Sequence, residues 1–202
     1  RAYSCWDYRY NFFPHFDYLF CFNCLLILLL STMTFLIAEI GINHNGDMSV
    51  TKKLIDEAKR AGADAVKIQT YKPDTITLNS KNRFFRISDK NSLWYKRYLH
   101  DLYSQGSLPW EWHKEIFSFA KKKNILCFSS PFDETAVEFL GKLNVPIYKV
   151  ASFENQHFPM LDKIIKTKKP SIVSLGATTF DEILDFLKFF KKRKYINFSF
   201  LK

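Results

Sequence analysis

The chain has 202 residues, enough for one domain with a substantial core but fewer than the roughly 250 of a typical closed eight-stranded α/β barrel. Its formal net charge of +10 is compatible with nucleic-acid binding. The lysines, however, are spread over predicted helix faces and loops without a nucleic-acid motif, so a small anionic substrate fits the charge better. Its four cysteines at irregular positions argue against a disulfide framework, which fits a cytoplasmic location.

Residues 1–32 differ from the rest of the chain because they are dense in aromatic side chains and end in an apolar run. The run from Tyr18 to Ile37 has the length of a membrane helix, but polar residues interrupt it and its last third is needed for the first predicted strand. We interpret residues 1–32 as a non-native or disordered leader, with a membrane anchor as the alternative. Cys21 and Cys24 lack the further ligands of a metal site.

Six apolar runs of strand length follow, and the first five are each followed by a stretch that contains helical periodicity. The predicted strands are Phe35–Gly41, Ala65–Thr70, Ile125–Ser130, Ile147–Glu154, Ser171–Gly176 and Tyr195–Leu201. Strands that alternate with helices predict an α/β fold with a parallel sheet, in which functional residues collect at the carboxyl ends of the strands.

A long connection separates the second predicted strand from the next long helix. It covers about residues 72–110 and contains several aromatic and basic side chains, whereas a few residues would normally suffice. Long insertions at the catalytic edge of a parallel sheet usually act as lids or specificity loops. A surface subdomain with its own small core is the alternative.

Polar side chains gather at the strand ends. Lys67 and Gln69 alternate along the second strand, so both point to the same side of the sheet. The fourth strand delivers Lys149, Ser152 and Glu154 at its carboxyl end. We expect Lys67 and Lys149 to meet at the mouth of the rolled sheet.

Five motifs that occur in one order carry a resemblance to a known family. They are Ile37–Gly46, Lys67–Thr70, Phe128–Phe132, Tyr148–Glu154 and Lys169–Ser174. Together they resemble the sialic acid synthase family, whose members condense phosphoenolpyruvate with an amino sugar to make nine-carbon acidic sugars. The resemblance covers about residues 34–202.

Within this family, Ala151–Glu154 and the aromatic motifs of the insertion resemble the members that make pseudaminic acid. Members that make N-acetylneuraminate or legionaminate are the alternatives. For the pseudaminic type, the resemblance implies that the sugar substrate is a 2,4-diacetamido-2,4,6-trideoxy hexose. It also implies that C3 of phosphoenolpyruvate attacks the sugar's aldehyde carbon, after which water adds at C2 and phosphate leaves.

The resemblance implies a (β/α)8 barrel of the TIM type, of which residues 33–202 would form about six of eight units. A C-terminal antifreeze-like domain is absent from this sequence, and the full-length enzyme is expected to be a homodimer. A divalent metal, manganese or magnesium, is also implied, with histidine ligands that lie beyond Lys202. We therefore assign no metal ligand in this sequence, and we interpret the loop residue His44 as a hydrogen-bonding group.

The family pattern also gives roles to individual residues. Phosphoenolpyruvate is expected to contact Lys67, Ser130, Lys149, Ser152 and Ser174. Gln69 and Glu154 are expected to bind the sugar, and the catalytic residues are expected to be Glu39, Lys67 and Lys149. One departure from the pattern is Leu175, which stands where the family usually has threonine and removes one hydroxyl from the anion site.

Simpler roles compete with each of these assignments. A structural ion pair is the alternative role of either lysine. An ion pair with Lys149 is the alternative for Glu154, and a salt bridge across the barrel floor is the alternative for Glu39. At the level of the whole chain, the rivals are an inactive truncated product, a membrane-tethered protein without catalysis and a basic nucleic-acid binder.

Overall fold

The computed structural model describes residues 34–201, so the predictions for residues 1–32, including Cys21 and Cys24, lie outside the described residues. Six parallel strands form one sheet in the order β1-β2-β3-β4-β5-β6. The strands are β1 (Ile37–Gly41), β2 (Ala65–Thr70), β3 (Leu126–Pro131), β4 (Tyr148–Val150), β5 (Ser171–Ser174) and β6 (Phe198–Leu201). The predicted α/β class with a parallel sheet is confirmed.

Helices connect the strands in every case, as parallel pairing requires. They are α1 (Met48–Arg60), α2 (Pro73–Ile76), α3 (Leu99–Gly106), α4 (His113–Lys122), α5 (Glu134–Lys142), α6 (Phe158–Lys166) and α7 (Phe180–Lys192). Short 3₁₀ turns at Arg83–Phe85 and Trp110–Trp112 complete the elements. The predicted insertion therefore contains α2, α3 and a 3₁₀ turn, with no strand of the main sheet.

Successive side chains along each strand point to opposite faces of the sheet. In β2, Val66 and Ile68 are buried against α1 and α4, where they join a cluster with Ile55 and Ile116. Further along the sheet, a larger cluster of aliphatic and aromatic side chains packs under α5, α6 and α7. The side chains at the alternate positions, among them Lys67, point to the opposite face, where they line a cavity.

The first helix shows how local sequence sets an element's ends. The Asp47 side chain accepts hydrogen bonds from the backbone N–H groups of Ser49 and Val50, as an N-cap does. At the other end, Gly62 has a φ of +87°, a left-handed conformation that glycine adopts without a side-chain clash. Gly62 follows the C-cap residue Ala61 and ends this helix.

The boundaries of several predicted strands were wrong. The fourth strand was predicted to continue to Glu154, but it ends at Val150, and the sixth begins at Phe198 instead of Tyr195. Residues 152–156 form turns after β4, with hydrogen bonds such as Glu154 N–H to the Ala151 carbonyl. An apolar run does not by itself show where neighbouring strands stop pairing. Ser152 and Glu154 consequently belong to a loop.

Among residues 34–201, no helix is long and apolar enough to cross a membrane.

Candidate active site

A cavity of about 300 Å³ lies on the inner face of the curved sheet. Every strand of the sheet contributes to its wall, together with the residues that immediately follow β3 and β4. The polar lining residues are Glu39, Lys67, Gln69, Ser130, Lys149 and Ser174. This size lies at the lower end of ordinary small-molecule pockets. Six of the eight residues named from the sequence thus share one cavity.

Lys67 is held between two neighbouring strands. Its ammonium group forms a salt bridge with the carboxylate of Glu39 on β1 and donates a hydrogen bond of 3.3 Å to Ser130 Oγ on β3. The register places Glu39 directly beside Lys67 and Gln69 directly beside Ser130. The predicted salt bridge of Glu39 therefore exists, and it lies within the cavity wall.

Lys149 has different partners. Its ammonium group donates to the Val150 carbonyl at 2.8 Å and to Ser174 Oγ at 2.5 Å, and the residue is 7% exposed. Among residues 34–201, no carboxylate lies within ion-pair distance of this nitrogen. Burial, and then the positive charge of Lys67, lower the pKa of Lys149 to about 8.

Gln69 lines the same cavity, on the same side of β2 as Lys67. Its amide nitrogen lies 3.7 Å from the position that a Cβ on Gly41 would occupy. Lys67 and Gln69 therefore point to the same side of β2, as predicted. An amide here offers both a donor and an acceptor to a polar ligand.

Ser152 and Glu154 do not line the cavity. The Ser152 hydroxyl packs against Gly176, whose Cβ, if present, would lie 3.0 Å away. Burial raises the pKa of Glu154, and one of its carboxylate oxygens, Oε2, has no hydrogen-bond partner among the described residues. No salt bridge joins Glu154 to Lys149 there, so the ion pair considered as its alternative role is not formed.

His44 is buried in the loop after β1, where its Nδ1 accepts a hydrogen bond from the backbone N–H of Gly46. This contact agrees with the expected hydrogen-bonding role. Burial lowers the pKa of His44, which favours the neutral ring.

The described residues offer no site for the metal that the family resemblance implies. Residues 34–201 contain no group of three or more His, Cys, Asp and Glu side chains that could hold an ion. The residues present therefore do not fit the metal.

The insertion packs on the loops at the same edge of the sheet as the cavity. Thr75 donates a hydrogen bond of 2.7 Å to Asp133, and the Trp110 indole donates one of 3.2 Å to the Tyr71 carbonyl. None of residues 72–110 lines the cavity. The tip of the insertion is exposed, and Leu93 there is 97% accessible. A role as a lid or specificity loop stays a prediction.

Asn155, which was not among the site residues predicted from the sequence, connects two loops of the site. Asn155 is 2% exposed and donates through Nδ2 to the Ser174 carbonyl at 2.9 Å and to the Thr178 hydroxyl. Its side-chain oxygen accepts from Gln156. An asparagine after a strand is common in loops, so the sequence carried no signal for this contact.

Comparison with known proteins agrees with the fold. The NeuB family model matches residues 54–202. The chain is 47% identical to the pseudaminic acid synthase of Campylobacter jejuni (serotype O:2, strain NCTC 11168) over 168 residues, which are 83% of this chain and 48% of that protein. The N,N'-diacetyllegionaminic acid synthase of the same strain is 37% identical over 155 residues, 74% of this chain and 44% of that protein.

Among solved structures, N-acetylneuraminic acid synthetase from Leptospira borgpetersenii superposes with a TM-score of 0.69. The two are 26% identical, and the match covers 84% of this chain and 56% of that one. The chain spans about half the length of the curated relatives it matches. Its six-stranded sheet is of the TIM-barrel type found in these structures. The chain belongs to the NeuB family, the sialic acid synthases.

Proposed function

We propose that this chain is part of an enzyme that condenses phosphoenolpyruvate with an open-chain amino sugar to form a nonulosonic acid. The observation that carries the proposal is the placement of Lys67 and Lys149 in one cavity, each bonded to a serine hydroxyl. Two cations with neutral donors beside them match the carboxylate and phosphate of this donor molecule. The NeuB family membership supports the same assignment.

In this proposal, Lys67 and Lys149 hold the donor's negative groups from opposite sides of β3. The carboxylate of Glu39 keeps Lys67 oriented through their salt bridge. Ser130 and Ser174 orient the two ammonium groups and supply hydroxyls next to them. The donor's C3 is thereby held so that it can attack the aldehyde carbon of the sugar.

The later steps need a water at C2 and a leaving phosphate. Glu39 is the carboxylate in the cavity wall, so we assign it the movement of a proton to or from that water. Cationic Lys67 and Lys149 stabilise the charge of the phosphate as it leaves. Manganese or magnesium is part of the proposal for the whole enzyme, with ligands outside the described residues.

Sugar binding is assigned to Gln69 and Glu154, with Ser152 as a further donor to phosphoenolpyruvate. Gln69 fits this role directly because it lines the cavity. Glu154 and Ser152 lie in the loop after β4, at the same edge, so their roles require a ligand that extends beyond the cavity. Glu154 Oε2, which is buried and has no hydrogen-bond partner among the described residues, is assigned to a sugar hydroxyl or amide.

Pseudaminic acid is the product we favour, from a 2,4-diacetamido-2,4,6-trideoxy hexose. Support comes from the higher identity to a pseudaminic acid synthase, 47%, than to a legionaminic acid synthase, 37%. The exposed apolar side chains of the insertion, such as Leu93 and Trp94, are assigned contact with the sugar's methyl and acetamido groups beyond the cavity. A cytoplasmic homodimer is the expected form of the whole enzyme.

The test has two parts. Calorimetry with phosphoenolpyruvate should show binding that weakens about ten- to a hundred-fold in Lys67→Gln and Lys149→Gln, because each removes a charged hydrogen-bond donor. Lys122→Gln, on the surface of α4, is the matched control. Mass spectrometry after incubation with phosphoenolpyruvate and either the trideoxy hexose or N-acetylmannosamine identifies the product. Equal binding by all three variants would contradict the proposal.

A further inference from the structure

We propose that Lys149 is a carbonyl-reactive amine that forms an imine with small 2-oxo acids inside the cavity. This activity is separate from the condensation proposed above. The substrate class is a carboxylate next to a ketone, of the size of pyruvate.

The first observation is the absence of a counter-ion. Lys67 forms a salt bridge with Glu39, whereas Lys149 has only neutral partners among residues 34–201, the Val150 carbonyl and the Ser174 hydroxyl. A lysine that is removed from water and placed near another cation gives up its proton more readily. The two lysines of the cavity therefore differ in chemistry, one a fixed cation and the other a potential nucleophile.

The second observation is the arrangement around the nitrogen. An ammonium group has three N–H donors, and two of those on Lys149 are used by Val150 and Ser174. The neutral amine keeps both hydrogen bonds, and its lone pair takes the third position. Lys149 lines the cavity, so the lone pair is assigned to a molecule bound there.

The third observation is the presence of an anchor for the substrate's carboxylate. The ammonium group of Lys67 lies in the same cavity with the Ser130 hydroxyl 3.3 Å away. Ile172 and Phe128 form apolar walls nearby, which suits the methyl group of a small 2-oxo acid. With the carboxylate on Lys67, the adjacent carbonyl carbon is assigned to the part of the cavity wall that Lys149 lines.

The reaction is a simple condensation. The lone pair of Lys149 Nζ attacks the carbonyl carbon, and both amine hydrogens leave with the carbonyl oxygen as one water molecule. A carbon–nitrogen double bond remains, and no oxidant or reductant is consumed.

The ionisation of Lys149 depends on charges from three neighbouring elements. Lys67 on β2 lowers its pKa, whereas Glu39 on β1 and Glu154 after β4 raise it, and burial dominates to give about 8. At pH 7 the neutral fraction is then about two to three orders of magnitude larger than for a lysine of ordinary pKa.

The experiment traps the imine. The purified chain is incubated with pyruvate and sodium cyanoborohydride from pH 6 to 9, and peptide mass spectrometry locates the resulting carboxyethyl groups. We expect modification of Lys149 at pH 7 to exceed that of the exposed Lys122 by about ten-fold or more, with half-maximal rate near pH 8. Lys149→Arg should keep the fold, checked by circular dichroism, and lose only this label. Modification no greater than at Lys122 would overturn the proposal.

A competition arm separates this inference from the proposed function. Phosphoenolpyruvate that occupies the cavity should protect Lys149 from pyruvate. Labelling of Lys149 without such protection would support the reactive amine while contradicting the donor site. Labelling confined to surface lysines, with Lys149 unmodified, would contradict the reactive amine but not the proposed donor site.

Discussion

The ammonium nitrogen of Lys149 lies 2.5 Å from the Ser174 hydroxyl oxygen, and this contact links β4 to β5 in the wall of the cavity. The neutral hydroxyl orients the lysine without supplying a negative charge. The Ser174 carbonyl in turn accepts from Asn155. A positive group is thus fixed in position while its charge stays available to an anion.

Ser174→Ala should weaken phosphoenolpyruvate binding about ten-fold, because the loss of one hydrogen bond to a charged donor costs about 1.5 kcal/mol. Ser174→Thr keeps the hydroxyl and suits a strand, so it should bind within about two-fold of the natural chain. Calorimetry measures both. Ser118→Ala, an exposed serine of α4, is the surface control. Weakened binding in the threonine variant but not in the alanine variant would contradict this role.

The stability of the fold should fall as pH drops from about 6.5 to 4. His113 is completely buried, and burial lowers its pKa to about 4. In that interval His113 is protonated in the unfolded chain but neutral in the folded chain, so the free energy of unfolding rises with pH. The shift corresponds to on the order of 3 kcal/mol. Urea unfolding at pH 7 and pH 4 measures most of this change, and measurement at pH 5 about half of it. The lowered pKa of His44 acts in the same direction.

His113→Gln provides the test of this cause. The ring bonds through Nε2 to the Thr70 hydroxyl at 2.8 Å and through Nδ1 to the Pro109 carbonyl at 3.2 Å, so the variant should lose stability at pH 7. It should also show a shallower decline between pH 7 and pH 5. His157→Gln, in which the replaced side chain is 36% exposed, is the control that should keep the full decline. An unchanged slope in the His113 variant would assign the pH dependence to other groups.

Features that depend on the alternation of side chains along one strand were predicted correctly from the sequence. Features that depend on partners distant in the sequence were not. Lys67 and Gln69 were placed on one face correctly because their spacing follows from strand geometry. The end of β4 was misplaced because strand ends depend on pairing across the sheet. The link from Asn155 to Ser174 joins residues 19 positions apart, so no local pattern encoded it. The roles of the eight candidate residues stay predictions.

Gly41→Ala should disturb Glu39 as well as the backbone. Gly41 has a φ of +55°, and an added Cβ would lie 3.1 Å from Glu39 Oε1. The left-handed conformation alone costs a non-glycine residue about 1–2 kcal/mol. Gly46→Ala is a matched control, since its φ is +68° and nothing lies within 4 Å of the added atom.

Both glycine variants should therefore lose stability in urea unfolding, and Gly41→Ala should lose somewhat more than Gly46→Ala. Only Gly41→Ala should also weaken phosphoenolpyruvate binding, because displaced Glu39 no longer orients Lys67. If Gly46→Ala weakened binding equally, the effect would lie in the loop and not in the Glu39 contact.

Replacement of Asn155 tests how far the loop after β4 supports the cavity. Its amide donates to the Ser174 carbonyl at 2.9 Å and to the Thr178 hydroxyl while the side chain is buried. Asn155→Ala leaves these acceptors without their donor and should cost about 1–3 kcal/mol in urea unfolding. Asn155→Asp should cost more, because a buried carboxylate then faces the Ser174 carbonyl.

Both variants should also weaken phosphoenolpyruvate binding, since Ser174 carries the hydrogen bond from Lys149. Asn197→Ala, at an exposed position before β6, controls for the loss of an amide side chain. Acidification should partly restore the stability of Asn155→Asp relative to that of Asn155→Ala, because the protonated carboxyl can donate to the Ser174 carbonyl as the amide did. A loss of stability without any loss of binding would mean that Asn155 holds the loop together but does not position Ser174.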